Sequence, residues 1–262
     1  FKLDYKYIIK PSEMVNNKEV ALMVDIYIDK LYRYPRIQEC VHIAVPLKKG
    51  ELNTVEDIAI IQNGKECLIQ PRVTSRYDDG SVRFLFVSFM ADLPANKRAK
   101  VLLVTDKKEY DKAISETAAN AATNVVANAT EAVSEAAVVR ETANGFMVDC
   151  GAISYEVSNA SESIFASLND GRKQYTSDNF VGPVLRDKAG NDYKMHINKW
   201  RVVQSGPVEV VLAADIHNSS QSQPETAKNT DNTAKNIEAQ LRLTAYAGKP
   251  WINVSYRIIN TS

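Results

Sequence analysis

Cysteine is scarce: the 262-residue chain holds only Cys40, Cys67 and Cys150. An odd count at such wide spacing excludes a disulfide framework, and no pair has the close spacing of a metal site. Cys40 and Cys67 lie in apolar strand patterns, where a free thiol packs as a small hydrophobe. An excess of one charge is also missing, since 32 basic residues stand against 32 acidic ones. That balance argues against nucleic acid or an anionic membrane surface as the main partner, because either asks for a basic excess or a concentrated basic stripe. The densest basic cluster, Lys97-Arg98 with Lys100, reads as a solvated loop. No apolar run exceeds about eight residues, too short for a membrane span, and no signal peptide is visible. The chain starts at Phe1 rather than Met, so the compartment stays open between cytoplasmic and secreted. Asn128, Asn159, Asn218, Asn253 and Asn260 head Asn-x-Ser/Thr triplets, which an Asn-, Ser- and Thr-rich sequence produces by chance.

The usual catalytic signatures are absent as well. There is no Gly-x-Ser-x-Gly elbow, no phosphate-binding Gly-x-x-x-x-Gly-Lys loop and no His-Glu-x-x-His helix. His42, His196 and His217 are far apart in sequence and read as strand or loop histidines. Neither a cofactor nor a metal is expected.

What the sequence has in quantity is a period of two. VALMVDIYI (20–28) and CVHIAVPL (40–47) are β-branched and aromatic runs between polar stretches. In DIAIIQNGKECLIQ (57–70) the Asn63-Gly64 pair predicts a type I′ hairpin, whose two central residues need positive φ. YDDGSVRFLFVSF (77–89) predicts a turn at Asp79-Gly80 feeding a strand apolar on both faces, and KVLLVT (100–105) another strand. The texture then turns to Ala, Thr, Asn, Glu and Ser, which predicts a linker of partial helicity. Strand patterns resume after Asn144-Gly145, with turns at Asn169-Asp170-Gly171, Ser205-Gly206-Pro207 and Gly248-Lys249-Pro250. The tract NSSQSQPETAKNTDNTAKN (218–236) predicts a polar loop. The expected architecture is all-β in two pieces: a β-domain over 1–105, a linker over 106–140, partly helical or disordered, and a second β-domain over 141–262.

Candidate chemistry centres on residues 77–83. Asp78 and Asp79 are the obvious acidic pair, but adjacent turn residues diverge and Asp-Gly is what a tight turn selects. Arg83, inside an apolar strand, calls for a partner, because burying it unpaired is costly. Bracing the turn and gripping an anionic sugar are both open to it. Tyr77, Trp200 and Trp251 are aromatic surfaces suited either to stacking on sugar rings or to core packing.

The run from Arg36 to Val104 resembles the N-terminal module of the exo-rhamnogalacturonan lyase family, also called YetA-like proteins. The residues that carry the likeness are Val45-Pro46-Leu47, Lys49-Gly50, the Asn63-Gly64 hairpin, Gln70-Pro71 and Asp79-Gly80-Ser81-Val82-Arg83. Tyr77, Asp78 and Phe84 stand where the family pattern has Trp, Pro and Trp. DCGAISYEVS, LNDGR, VLRDKAGNDY, SGPVEVVLAADI and LRLTAYAGKPWINVSYRIINTS are similar to the next module of that family, in the same order. The resemblance implies a small riboflavin-synthase-like (RIFT) β-barrel followed by a β-sandwich, in a bacterial enzyme whose helical toroid carries catalysis. By that resemblance the chain is a non-catalytic front region of a pectin-acting polysaccharide lyase, inactive by itself and packed against the toroid. Substrate contact through Tyr77, Asp79, Arg83 and Trp200 is the expectation, and no residue is assigned a catalytic role. Two rival readings remain. One is a stand-alone binding or surface-assembly protein of two β-domains; the other is an enzyme whose site converges from His42, His196, Asp78 and Arg83.

Overall fold

Alternating apolar residues dictate the first sheet system. In the computed structural model, which describes residues 7–11, 23–29, 33–120, 136–180, 182–186, 190, 192–218 and 237–260, the chain is all-β with several antiparallel sheets. It divides into two units, Phe1–Ser134 and Glu135–Ser262.

In the first unit, β1 (Tyr7–Pro11), β2 (Met23–Ile28), β3 (Arg36–Pro46), β4 (Ala59–Gln62) and β5 (Lys65–Glu66) precede β6 (Ile69–Arg76), β7 (Val82–Leu93) and β8 (Ala99–Val104). One sheet runs β1-β2-β8-β4-β5 and the other β3-β7-β6. Every second residue of the long strands points into a shared core: Ile26 and Ile28 from β2, Val41 and Ile43 from β3, Leu85, Val87 and Phe89 from β7, Val101 and Leu103 from β8. Fully burying each such side chain stabilises by about 1.5–3 kcal/mol, which fixes the register because a one-residue slip would expose the whole set.

The Asn63-Gly64 hairpin forms with both residues at positive φ, 51° and 75°. Its return strand is shorter than the sequence pattern implies. β5 pairs with β4 only over Lys65 and Glu66, after which the chain crosses to the other sheet and β6 pairs with β7 instead. Of the region expected to link the two pieces, Lys107–Asn120 is helix α1. Residues 121–135 lie outside the described residues, and strand texture has resumed by Val138.

In the second unit, β9 (Val138–Thr142), β10 (Gly145–Asp149), β11 (Ser154–Ser158), β12 (Ser167–Asn169) and β13 (Gln174–Thr176) form one meander. β14 (Val184–Arg186), β15 (Asp192–Gln204), β16 (Glu209–Asn218), β17 (Ile237–Tyr246) and β18 (Ile252–Asn260) form another. Both follow chain order, the topology that short turns between neighbouring strands favour. The expected breaks at Ser205-Gly206-Pro207 and Gly248-Lys249-Pro250 separate β15 from β16 and β17 from β18. Of the polar tract at 218–236, all but Asn218 lies outside the described residues. Val148, Tyr155 and Val157 on the first meander, and Met195, Ile197, Trp200, Leu241 and Leu243 on the second, are buried. A bridge between Ser161 and Ile197 ties the two meanders together.

Candidate functional site

The turn at 77–81 is held by a dense hydrogen-bond set. Gly80 adopts φ 85°, the left-handed region that costs a side-chain-bearing residue about 1–2 kcal/mol. The Tyr77 amide donates to Ser81 O at 2.8 Å, and the Gly80 amide donates to Tyr77 O at 3.0 Å. The Asp79 carboxylate accepts from the Ser81 hydroxyl at 2.6 Å and from the Ser81 amide at 2.9 Å. These bonds, the hydroxyl's first, hold the Asp79 carboxyl below its usual range. Ser81 Oγ in turn accepts from the Gly50 amide at 3.0 Å. Tyr77 donates its phenol proton to Leu47 O at 2.9 Å, and Arg76 reaches Gly80 O at 2.7 Å and Asn53 O at 3.1 Å. Asp78 is exposed and pairs with Lys49 at 2.6 Å. The acidic pair is therefore committed to the turn and to the 47–53 loop beneath it, and its two carboxylates have different partners.

Arg83 does not brace that turn with its side chain; Arg76 does. The ladder between β6 and β7 shifts register at Val73–Ser75 and again at Ser75–Arg76, so Ser75 faces Phe84 and Arg76 faces Val82. Arg83 falls at this irregularity and leaves the buried row, so its guanidinium is exposed rather than enclosed in the strand. It lies 5.7 Å from the Tyr77 ring centre and 5.6 Å from that of Phe84. One rung along, Arg72 sits opposite Phe86 and lies 5.1 Å from its ring centre. Phe86 also stacks on His42 at 5.8 Å with 27° between planes.

The outward side of β6 and β7 thus carries a strip of Arg72, Phe86, Phe84, Arg83 and Tyr77. Phe84 is 39% exposed, so part of its ring is open to a ligand. Neither Arg72 nor Arg83 has a carboxylate partner among the described residues. A guanidinium over an aromatic face keeps its N–H fork directed outward, which suits bidentate recognition of a carboxylate beside an apolar surface.

The chain matches no family model and no curated protein.

The remaining candidates lie elsewhere. Trp200 belongs to the second unit, is 1% exposed, and takes a backbone bond to Asn159 Oδ1 at 2.8 Å. As placed, it presents no face on which a sugar could stack. The structure brings His196 and His217 together as cross-strand neighbours on β15 and β16, ring centres 5.4 Å apart, a pairing their sequence spacing hides. His42, Asp78 and Arg83 belong to the first unit and His196 to the second. A shallow depression of ≈ 150 Å³ on the second unit is lined by Met147, Ser154, Glu156, Ser167, Asn169 and Gln174 among others. That is below the ~300 Å³ at which small-molecule pockets begin. Cys67 and Cys150 are chemically quiet: burial, reinforced by neighbouring carboxylates, pushes both thiols up to about 12.

Of the residues in this strip, sequence reading named Tyr77 and Arg83, with Asp79 in the adjoining turn; it did not name Arg72 or Phe86. Their signal is the β6–β7 register, which sets Arg72 across from an aromatic residue two positions beyond Phe84.

Proposed function

We propose that the chain is a non-catalytic β-region of a carbohydrate-active enzyme of the exo-rhamnogalacturonan lyase kind, and that it contacts an acidic polysaccharide along the Arg72–Arg83 strip. In this reading the first unit is a RIFT-type barrel and the second a β-sandwich. Catalysis belongs to a helical toroid of the same polypeptide, whose cleft this region helps to shape. The observation that carries the proposal is the pair of exposed arginines fixed over Phe86, Phe84 and Tyr77 without carboxylate partners among the described residues. Uronate chains combine what such a strip accepts: carboxylates for the guanidinium forks and flat sugar faces for the rings. The Asp79–Ser81 turn supports the strip by fixing the strand end from which Arg83 emerges.

Titration calorimetry with rhamnogalacturonan oligosaccharides, and with neutral galactan as the control, tests this. Salt-sensitive binding to the acidic chain only is expected. Arg83→Ala should weaken it by about tenfold, the worth of a charge-assisted hydrogen bond of roughly 1.5 kcal/mol. Equal binding of galactan, or unchanged affinity in an Arg72→Ala/Arg83→Ala double variant, overturns the proposal.

A second reading, assembly through the β-sheets, draws on the exposed apolar strand at the end of the second unit.

A further inference from the structure

The two histidines of the second unit, far apart in sequence, stand opposite each other on neighbouring strands. His196 of β15 faces His217 of β16, and their ring centres lie 5.4 Å apart with 63° between planes. The backbone fixes this pair. Ile197 donates its amide to Ser161 O at 2.8 Å and accepts from the Ser161 amide at 3.1 Å. Those bonds leave β15 on the side away from β16, so His196, one residue along, turns its own N–H and C=O toward His217. The two therefore form the hydrogen-bonded kind of antiparallel pair, with Cα atoms about 5.5 Å apart. Met195, Ile197 and Ile216 are buried, which by alternation puts both imidazoles on the outer face. There His196 is half-buried and His217 exposed.

The charged neighbours on this face are already matched. Lys194, two residues before His196, pairs with Glu162 at 3.2 Å. Asp215, two before His217, pairs with Arg201 at 2.8 Å and accepts from Gln240 at 3.1 Å. The imidazoles are not matched: among the described residues neither ring makes a hydrogen bond or an ion pair. Each neutral ring has a nitrogen lone pair to offer, and the broad χ2 preference of histidine lets both rings turn that nitrogen to one point.

We infer that His196 and His217 form a two-donor site for a divalent transition metal in tetrahedral coordination, with zinc the cation the geometry fits. A zinc ion ~2.1 Å from a ring nitrogen stands ~3.2 Å from that ring's centre, so two rings at the tetrahedral angle have centres ~5.2 Å apart. The observed 5.4 Å needs only a small closing movement. The right angle of a square-planar site would draw the centres in to ~4.5 Å. Ligand chemistry agrees, because imidazole suits zinc and its transition-metal neighbours while calcium and magnesium take oxygen donors. With two protein donors, two coordination positions remain for water or a ligand group, so the site holds exchangeable zinc rather than a closed structural ion. The site belongs to the second unit and does not rest on the Arg72–Arg83 strip.

Titration calorimetry with zinc chloride tests the inference, using the chain in a Cys40→Ser background. That substitution removes a competing thiol, since Cys40 Sγ lies 3.7 Å from His42 Nε2 on the first unit. Cys67 and Cys150, pushed up to about 12 by burial, stay protonated and do not compete. One zinc per chain is expected, with a dissociation constant on the order of 1–100 μM, far weaker than a closed four-donor site. Magnesium chloride should give no binding. His196→Gln and His217→Gln should each weaken zinc at least about tenfold, and the double variant no further than either single one, because chelation needs both rings. Melting temperatures in EDTA should match the parent, as both side chains lie on the outer face. Cobalt(II) read by visible absorption needs no variant: tetrahedral coordination gives an intense band and octahedral coordination a weak one. No zinc binding below about 1 mM, a loss under about tenfold in either single variant, or an octahedral cobalt spectrum overturns the inference.

Discussion

Replacing Tyr155 by Phe should stabilise the second unit. Tyr155 is 1% exposed, and its hydroxyl has no hydrogen-bond partner among the described residues. Burial pushes the phenol well above its ordinary value. A buried hydroxyl without a partner costs about 1–3 kcal/mol in protein substitution data. Phenylalanine removes that cost and keeps the ring, which meets Phe165 edge-on at 5.5 Å and 79°. The space vacated by one oxygen forfeits a few dispersion contacts of ~0.1–0.2 kcal/mol each, together under about 1 kcal/mol. The balance is a gain of roughly 0.5–2 kcal/mol, which for a unit of this size raises the melting temperature by about 2–8 °C. Differential scanning calorimetry of the chain and of Tyr155→Phe reads this directly. Tyr155→Leu, which loses the ring contacts as well, should melt lower than both. A Tyr155→Phe chain that melts below the parent would refute the reasoning, because it would mean that the hydroxyl is satisfied by a buried water that the substitution strands.

Two further predictions follow from the packing. A Cβ at position 145 would sit 2.0 Å from the carbonyl oxygen of Val157 and 2.9 Å from its carbon, so Gly145→Ala forces β10 away from β11. A loss of about 3 kcal/mol or more in urea unfolding is expected, and a change under about 1 kcal/mol would contradict the close approach. Cys67 and Cys150 ionise only at about 12 in the folded chain against an ordinary 9.0. The folded state keeps protons that the unfolded state releases, so the stability these groups contribute is complete below about pH 9 and declines as pH rises towards 12. Urea midpoints measured at pH 8 and 10.5 should converge in Cys67→Ala and Cys150→Ala relative to the parent; parallel pH profiles in all three chains would remove the thiols from the explanation.

Local chemistry was well written in the sequence and long-range pairing was not. Asn63-Gly64 and Asp79-Gly80 announce their turns because only a few residue types tolerate positive φ, and the alternation in β2, β3 and β8 marks their buried faces directly. Nothing local states that β2 lies beside β8 or that β3 lies beside β7. Such choices depend on which apolar faces close one core, a property of the whole unit. The same limit explains the site. Arg83 looked like an arginine enclosed in a strand because the register shifts at Ser75 are invisible without the partner strand, and Trp200 looked available for stacking because burial is a tertiary fact. Arg72 gave no signal by itself, since its aromatic partner stands fourteen positions away on the neighbouring strand.

The pairing of β2 with β8 also sets a timetable for synthesis. Met23 faces Val104 and Ile28 faces Ala99, so β2 leaves the ribosome long before its neighbour exists. At ~5–20 residues per second the wait lasts roughly 4–15 s, during which β2 has β1 as a partner but Val24, Ile26 and Ile28 lack the later strands that complete their core. Contacts of such long range also make closure slow once the strands are present. The nascent first unit therefore presents a sticky strand for a fixed interval, a window in which a holdase chaperone has something to bind and two neighbouring ribosomes on one message have something to exchange.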